Sequence, residues 1–417
     1  MTAPRPSVTS LDILPVYGQS ENRSSEAVAL SQALDATAPG QIHYTFGMVT
    51  EAGRPVDSSG AGWGGSSMAA IDQTHPAQGF APAAGLGRVS PAFTLQFCRA
   101  ARWRAAGHPE QGAIIGDHGY GGRYINEWRR DDASPIGRNQ QFWMRESKRL
   151  ADGFGIAIRC PYVYLFQGSS AKDQPGAVYR ADFNVAHGET VALATELFGV
   201  APQLVVVVNG ADVNTIGDVY ATPGVQYRIA LDYGGIIATW QRIYPINDQN
   251  AHVDPDAKLL IGETSDWAIS EVEAGRPWNI TYGVEKSGSD VIVRFALRPG
   301  ETLMQRASLY DAFGGAGTCA DFGFEADGGI SSVTPDFAGN SVRLTLASAS
   351  ARWLRFAHQV QDCYALTDAG GYTMSAHRTT LFASETRASR LVPGQALWRA
   401  LPGFRGSFAG DSFQPEA

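Results

Sequence analysis

The alternation of apolar runs with helix-like segments predicts an α/β protein, a parallel sheet covered by helices, extended by an all-β region. Three observations carry that expectation. Five short apolar runs in the first part of the chain each end in a polar or glycine-rich turn, which reads as buried strands followed by loops. Helix-like segments fall between them, so the strands join through βα units. Their short connections yield a parallel sheet with helices on both faces, three layers in all. After Glu273 the helical period disappears, and short alternating runs divided by Gly, Ser, Pro and Asp turns predict a β-sandwich. The expected division is residues 1–272 for the α/β part and 273–417 for the sandwich, with the boundary in the stretch Glu273 to Ile280.

Taken in order, the first run, Ile13 to Tyr17, leads into Gly18-Gln19-Ser20-Glu21-Asn22. Gly112 to Gly116 leads into Asp117 to Gly122, Tyr162 to Phe166 into Gln167-Gly168-Ser169-Ser170, and Leu204 to Val208 into Asn209-Gly210. The fifth run, Ile236 to Ile243, precedes the polar stretch Asn247 to Asp256. Helices are predicted from Pro91 to Ala106, Gln140 to Asp152, Asp182 to Phe198, Pro223 to Asp232 and Pro255 to Glu273, the last opened by Asp254 as N-cap and a proline in the first turn. The segment Gly47 to Ser90, rich in Gly, Ala, Ser and Pro, far exceeds an ordinary connection of about 4–6 residues and reads as a lid or an excursion over the site, with Trp63 as a sugar platform or an anchor. Beyond the boundary, Asp290 to Leu297 and Ser341 to Leu346 read as strands. Trp353, Tyr364, Trp398 and Phe404 are expected in core or interdomain packing, with a carbohydrate-stacking surface as the alternative.

Composition narrows the function classes. The 417 residues are 44% hydrophobic and 18% charged, enough apolar side chain for a full core. A balance of 33 Lys and Arg against 41 Asp and Glu, net −8 and without a basic block, removes the footprint on which nucleic-acid binding depends. No apolar run approaches the ~18–20 residues of a membrane span. Met1 to Ser10 has no cationic start followed by an apolar stretch, so the chain is expected to lack a secretory signal and to be made in the cytoplasm. Cys98, Cys160, Cys319 and Cys363 lack CxxC spacing and read as small buried hydrophobes, and no metal site is expected.

In an open parallel sheet the ligand sits outside the carboxyl ends of the strands, so the residues that follow them are the candidates for chemistry. After the first run comes Ser20, a hydroxyl able to attack an ester carbonyl once a base removes its proton. After the second come Gly119, Gly121 and Gly122, whose missing side chains let a backbone N–H approach a developing oxyanion. Gln167 follows the third and offers an amide donor to the same oxyanion. His252 follows the fifth, and its near-neutral imidazole suits a base that later returns the proton to the leaving alcohol. Gln19, Gly121 and His118 are the candidate substrate contacts, and each residue taken singly also reads as ordinary turn, loop or packing.

These residues resemble the blocks of the SGNH hydrolases. Leu14-Pro15-Val16-Tyr17-Gly18-Gln19-Ser20 is similar to the first block in its Gly-Gln-Ser-Asn form, typical of sialate O-acetylesterase-like and acetylxylan-esterase-like carbohydrate esterases. Gly121-Gly122-Arg123-Tyr124-Ile125-Asn126-Glu127-Trp128 resembles the second, Tyr164-Leu165-Phe166-Gln167-Gly168 the third, and His252-Val253-Asp254-Pro255 with Leu259 to Glu263 the last. The resemblance implies a flavodoxin-like three-layer fold, Ser20 as nucleophile, His252 as base, and an oxyanion hole from the Ser20 backbone, Gly122 and Gln167. It implies no cofactor.

Three positions depart from the pattern. Glu21 stands where the family often has Asn, Ser169 replaces a Glu, and Gln249 stands where an Asp usually precedes the histidine, leaving Asp248 to orient His252 if the loop is one residue longer. The first expectation is therefore a serine esterase that removes O-acetyl groups from a carbohydrate, a bacterial surface polysaccharide in particular. The alternative is an esterase-fold glycan-binding component of a phage-like particle with weak or no turnover. It draws on the C-terminal region, which resembles the β-sandwich that accompanies such esterases in phage-related proteins. Other particle proteins or further copies of the chain are the partners it implies. A lipase is disfavoured because no apolar docking helix is present.

Overall fold

The computed structural model describes residues 8–19, 43–45, 47–49, 55–57, 81–82, 90–114, 119–171, 174–209, 222–244, 253, 255–306, 320–358, 364–367, 373–376 and 379–416. The first expected strand is split into β1 (Ser10–Ile13) and β2 (Val16–Gly18), because Pro15 has no N–H to give to a ladder. Between the first strand and its helix lie β3 (His43–Thr45), the hairpin of β4 (Gly47–Val49) and β5 (Pro55–Asp57), and β6 (Ala81–Pro82). The rest of the expected lid, Trp63 included, lies outside the described residues.

The central sheet continues with β7 (Gln111–Ile114), β8 (Ala157–Arg159), β9 (Tyr162–Phe166), β10 (Gln203–Val208) and β11 (Ile236–Trp240). β1 pairs in parallel with β7 on one side and β8 on the other, while β2 pairs with β9, β9 with β10 and β10 with β11, all in parallel. Strand β8/β9 is interrupted at Cys160-Pro161 for the same reason as β1/β2. Tyr164 N donates to Pro15 O and Gln203 N to Pro161 O, each at 2.9 Å, so the sheet runs on across both breaks. Counting β1/β2 as the first strand and β8/β9 as the third, the order across the sheet is 2-1-3-4-5. β3 extends the β7 edge in parallel, with β6 antiparallel beyond it.

Among the described residues, five helices cover the two faces: α1 (Pro91–Ala105), α2 (Ile136–Phe154), α3 (Gly176–Phe198), α4 (Thr222–Asp232) and α5 (Pro255–Glu273). The strands read as unbroken apolar runs because both faces are buried. Tyr162, Tyr164, Phe166, Val205 and Val207 pack against α1 and α5, while Val163, Leu165, Leu204, Val206 and Val208 pack against α2, α3 and α4. α1 and α5 approach closely at Gly262, where a Cβ would lie 2.4 Å from that of Thr94. α2 and α3 begin earlier than the predicted Gln140 and Asp182, just after Pro135 and Pro175, because each first turn holds a glycine, Gly137 or Gly176, that reads as a poor helix former. The fifth run leaves the sheet at Trp240 and closes in a 3₁₀ turn over Gln241–Ile243.

After Glu273 every described strand pair is antiparallel. β12 (Thr281–Ser287), β13 (Asp290–Ala296), β14 (Leu303–Gln305), β15 (Phe324–Ala326), β16 (Ile330–Asp336), β17 (Ser341–Leu346) and β18 (Trp353–Phe356) come first. β19 (Tyr364–Thr367), β20 (Thr373–Ala376), β21 (Leu381–Ala388), β22 (Ala396–Ala400), β23 (Phe404–Ala409) and β24 (Ser412–Pro415) follow. They form sheets β12-β13-β17-β16, β14-β21-β22 and β15-β18-β23-β24, with β19-β20 as a separate hairpin. Val291, Val293, Leu344, Leu354, Phe356 and Leu381 bring these three sheets into one apolar cluster.

This region does not hang from the α/β part by a tether. Phe382, Leu391, Leu397 and Trp398 belong to the same apolar cluster as α5, and Tyr282 stacks on Phe404 at 4.4 Å while lying 5.8 Å from Tyr227 of α4. Trp398 and Phe404 are buried as expected, Trp353 is half-buried under Arg355, and the Tyr364 side chain lies outside the described residues. Cys98 and Cys160 are free and buried. Among the described residues, no helix is long and apolar enough to cross a membrane, and no group of three or more His, Cys, Asp or Glu could hold a metal ion.

Candidate active site at the carboxyl edge of the sheet

The chain leaves β2 through Gly18 and Gln19, and the next two strand ends close around them. Gly119 bridges to Gly18 in parallel, Tyr120 N donates to Gly18 O at 3.0 Å, and Gln19 N donates to Phe166 O at 3.3 Å. Gln19 itself is fully buried. Its Oε1 accepts from Gly168 N at 3.0 Å and Ser170 N at 3.2 Å, so the side chain before the expected nucleophile holds the turn after the third strand.

Gln167 is equally buried and points its amide across the edge, donating from Nε2 to Arg123 O at 2.8 Å. That acceptor fixes which end of the amide is nitrogen, and a primary amide carries a second N–H for another partner. The loop it reaches is tied down from below. Trp128 Nε1 donates to Val16 O at 3.1 Å, Tyr120 packs edge-on against Trp128 at 5.8 Å, and Gln140 Nε2 donates to the same Val16 O at 2.9 Å. Gly122, at φ +72, takes a left-handed conformation that favours glycine and lies exposed with Gly121.

A second tier of neutral groups supports Gln167. Gln226 of α4, fully buried, donates from Nε2 to Gln167 O and to Tyr179 OH at 2.8 Å, and its Oε1 accepts from Asn209 N at 2.8 Å. The Asn209 amide nitrogen lies 3.0 Å from Ser169 Oγ. Gly168, at φ +147, could not be replaced without strain, since a Cβ would meet Gln226 Nε2 at 2.9 Å and Thr222 Cγ2 at 3.0 Å.

Four of the expected site residues, Gln19, Gly121, Gly122 and Gln167, therefore share one edge. Ser20, His118, Asp248 and His252 lie outside the described residues; Val253, directly after His252, is buried. Sequence reasoning missed the role of Gln226, because a polar residue inside a helix reads as part of its solvent face. It also treated Asn209 only as a turn residue, and Ser169 as a turn residue that replaces a Glu of the third block. Around Gln19 and Gln167 the described donors and acceptors are amides, hydroxyls and backbone groups, while the buried Arg242 after the fifth strand turns its guanidinium to Ala357 O in the antiparallel region. Such a set orients an uncharged polar ligand and can stabilise a developing oxyanion.

Behind this edge, Tyr17 lies wholly buried with its hydroxyl 3.4 Å from His187 Nδ1. Burial pushes the Tyr17 phenol up and the His187 imidazole down to about 4. Both are therefore neutral packing partners of the strand that ends at the site.

No family profile matches the chain, and no curated protein matches it. Among solved structures it is similar to a carbohydrate acetylesterase from Xanthomonas citri, with a TM-score of 0.53 and 16% identity over 90% of this chain and 81% of that one. A protein from Arabidopsis thaliana matches with a TM-score of 0.41 and 14% identity over 63% of this chain and 99% of that one. The first likeness is one of fold, and at 90% of the chain it reaches from the parallel sheet into the antiparallel strands.

Proposed function

We propose that the chain is a serine esterase that removes O-acetyl groups from a carbohydrate. The observation that carries this reading is the convergence of the Gly18-Gln19 turn, the Gly121-Gly122 loop and Gln167 at one sheet edge, held by the Gln19 and Gln167 side chains. The strand order 2-1-3-4-5, that of flavodoxin-like sheets, supports it by making this edge the expected ligand crevice. The fold likeness to a carbohydrate acetylesterase supports it as well.

In this reading Ser20 Oγ bonds to the acetyl carbonyl carbon while His252 takes its proton. The N–H of Gly122 and the free N–H of Gln167 receive the oxyanion. The C–O bond to the sugar then breaks, and the sugar oxygen takes the proton from His252. Water, deprotonated by His252, attacks the acetyl-serine and releases acetate and free Ser20. Asp248 orients the imidazole, and no cofactor takes part. The antiparallel region after residue 272 serves as a β-sandwich accessory domain for the glycan or a particle.

The test is acetate release from O-acetylated polysaccharides and from a small aryl acetate. Ser20→Ala and His252→Ala, confirmed folded by circular dichroism, should each lower turnover by about 10³-fold or more. Wild-type turnover that survives both substitutions would overturn the assignment.

A further inference from the structure

The loop that Gln167 holds presents one aromatic ring outward. Tyr124 is 43% exposed, although its neighbours Ile125 and Trp128 are buried, and among the described residues its ring has no aromatic partner. The other two exposed aromatic side chains differ in place or packing. Tyr233 lies edge-on against Phe183 and His187 with its hydroxyl on Asn184, and Phe337 lies far along the chain in the antiparallel region.

The Tyr124 backbone is fixed rather than loose. Glu127 Oε1 accepts from Tyr124 N at 3.0 Å, Gln167 Nε2 donates to the carbonyl of Arg123 one bond away, and Ile125–Trp128 continues as a 3₁₀ turn anchored through Trp128. Beside it the Arg123 guanidinium, 32% exposed, pairs with Glu127 only at 3.5 Å, which leaves N–H groups free to serve as donors.

A rigid, solvent-facing aromatic face next to a guanidinium suits a ligand with an apolar face and a polar rim. A pyranose ring has that form, with C–H groups on one face and hydroxyls around its edge. We infer that Tyr124 is a specificity-determining residue that stacks on a saccharide ring at the edge of the acyl site, with Arg123 donating to the hydroxyls of that ring. The inference rests on the esterase reading for the direction in which the sugar leaves, but its binding test needs no turnover.

Calorimetric titration measures wild type, Tyr124→Ala and Tyr124→Phe against deacetylated oligosaccharides from xylan and from bacterial capsules. A parallel assay gives the ratio of kcat/KM on the acetylated oligosaccharide to that on the aryl acetate. Tyr124→Ala should weaken saccharide binding about tenfold and lower the ratio to match, the scale of one lost aromatic contact, while Tyr124→Phe keeps both because only the ring face is needed. Wild-type affinity in Tyr124→Ala, equal loss in Tyr124→Phe, or no saccharide bound by the wild type would each overturn the role of Tyr124. Failure of the esterase reading shows separately, as absence of acetate release from either substrate.

Discussion

The carboxyl edge of the sheet and the seam between α5 and the antiparallel strands are both buried and polar, yet they are built from opposite materials. The edge uses neutral amides and hydroxyls: Gln19, Gln167, Gln226, Asn209 and Ser169. The seam uses charges. Glu263 accepts from Ser389 Oγ, Arg390 N and Arg390 Nε, and Asp266 lies 3.5 Å from the same Arg390 guanidinium. Glu271 takes Arg276 and Arg298, and Glu301 pairs with Arg399, whose guanidinium also donates to Trp278 O. Neutral bonds fix the direction of a donor without setting a strong local field, which would suit the transient oxyanion of the proposed reaction. Paired charges tolerate no partial loss, because a lone buried ion is far costlier than a lone amide, and that suits a joint meant to stay closed.

The largest effect should come from breaking the seam on one side only. Arg399→Leu leaves the buried Glu301 carboxyl without its guanidinium partner, and should cost about 3–5 kcal/mol by chemical denaturation. Adding Glu301→Leu should restore most of that, since a buried pair is often replaceable by apolar side chains. A single variant within ~1 kcal/mol of wild type would mean that the seam is not held by charge compensation.

At the edge, Gln226→Leu removes the side chain that bonds the Asn209 N–H and the Gln167 carbonyl, and should cost about 1–3 kcal/mol. If Gln167 is an oxyanion donor positioned by Gln226, the same variant lowers kcat on the aryl acetate more than it raises KM. Gln226→Glu, which keeps the size and the acceptor but loses both N–H donors, should not rescue it. A rise in KM alone, or a full rescue by Gln226→Glu, would separate Gln226 from the chemistry.

The seam should also titrate where the edge does not. The Arg276 hydrogen bond holds the Glu271 carboxyl down at about 2, below its ordinary value of 4.5. Between those values the unfolded chain binds more protons, so this contribution is complete above pH 4.5 and is lost as pH falls through about 2. Glu271→Gln should therefore flatten the fall of the urea midpoint across that window. Asp266, whose carboxyl burial pushes up, acts in the opposite sense and is unchanged in both proteins. An unaltered slope would show that Glu271 does not carry the acid response.

Much of the frame was legible residue by residue. α5 begins and ends where its proline and its apolar period predict, at Pro255 and Glu273, and β9 and β17 match the predicted runs Tyr162 to Phe166 and Ser341 to Leu346. The starts of α2 and α3 were not legible, because each first turn carries a glycine, Gly137 or Gly176, which local propensity reads as a poor helix former, and a preceding proline marks the boundary instead. At the site, Gln19, Gly122 and Gln167 were visible because each follows a strand. Gln226 was not: it sits between Val225 and Tyr227 in a helix, and nothing local distinguishes a glutamine that faces solvent from one that clamps two strand ends.

The sequence by itself marked the five central strands and five helices, the change from a parallel α/β pattern to antiparallel strands after Glu273, and which residues follow each central strand. These follow from period, punctuation and proline chemistry, all local to a few neighbouring residues. Only the tertiary structure decided that Gln167 reaches the Arg123 carbonyl, that Gln226 bonds Gln167 and Asn209 together, and that Glu271 gathers arginines from beyond its own helix. Most of those partners lie tens of residues apart along the chain, and a buried polar group selects among them only once packing has excluded water and set the distances.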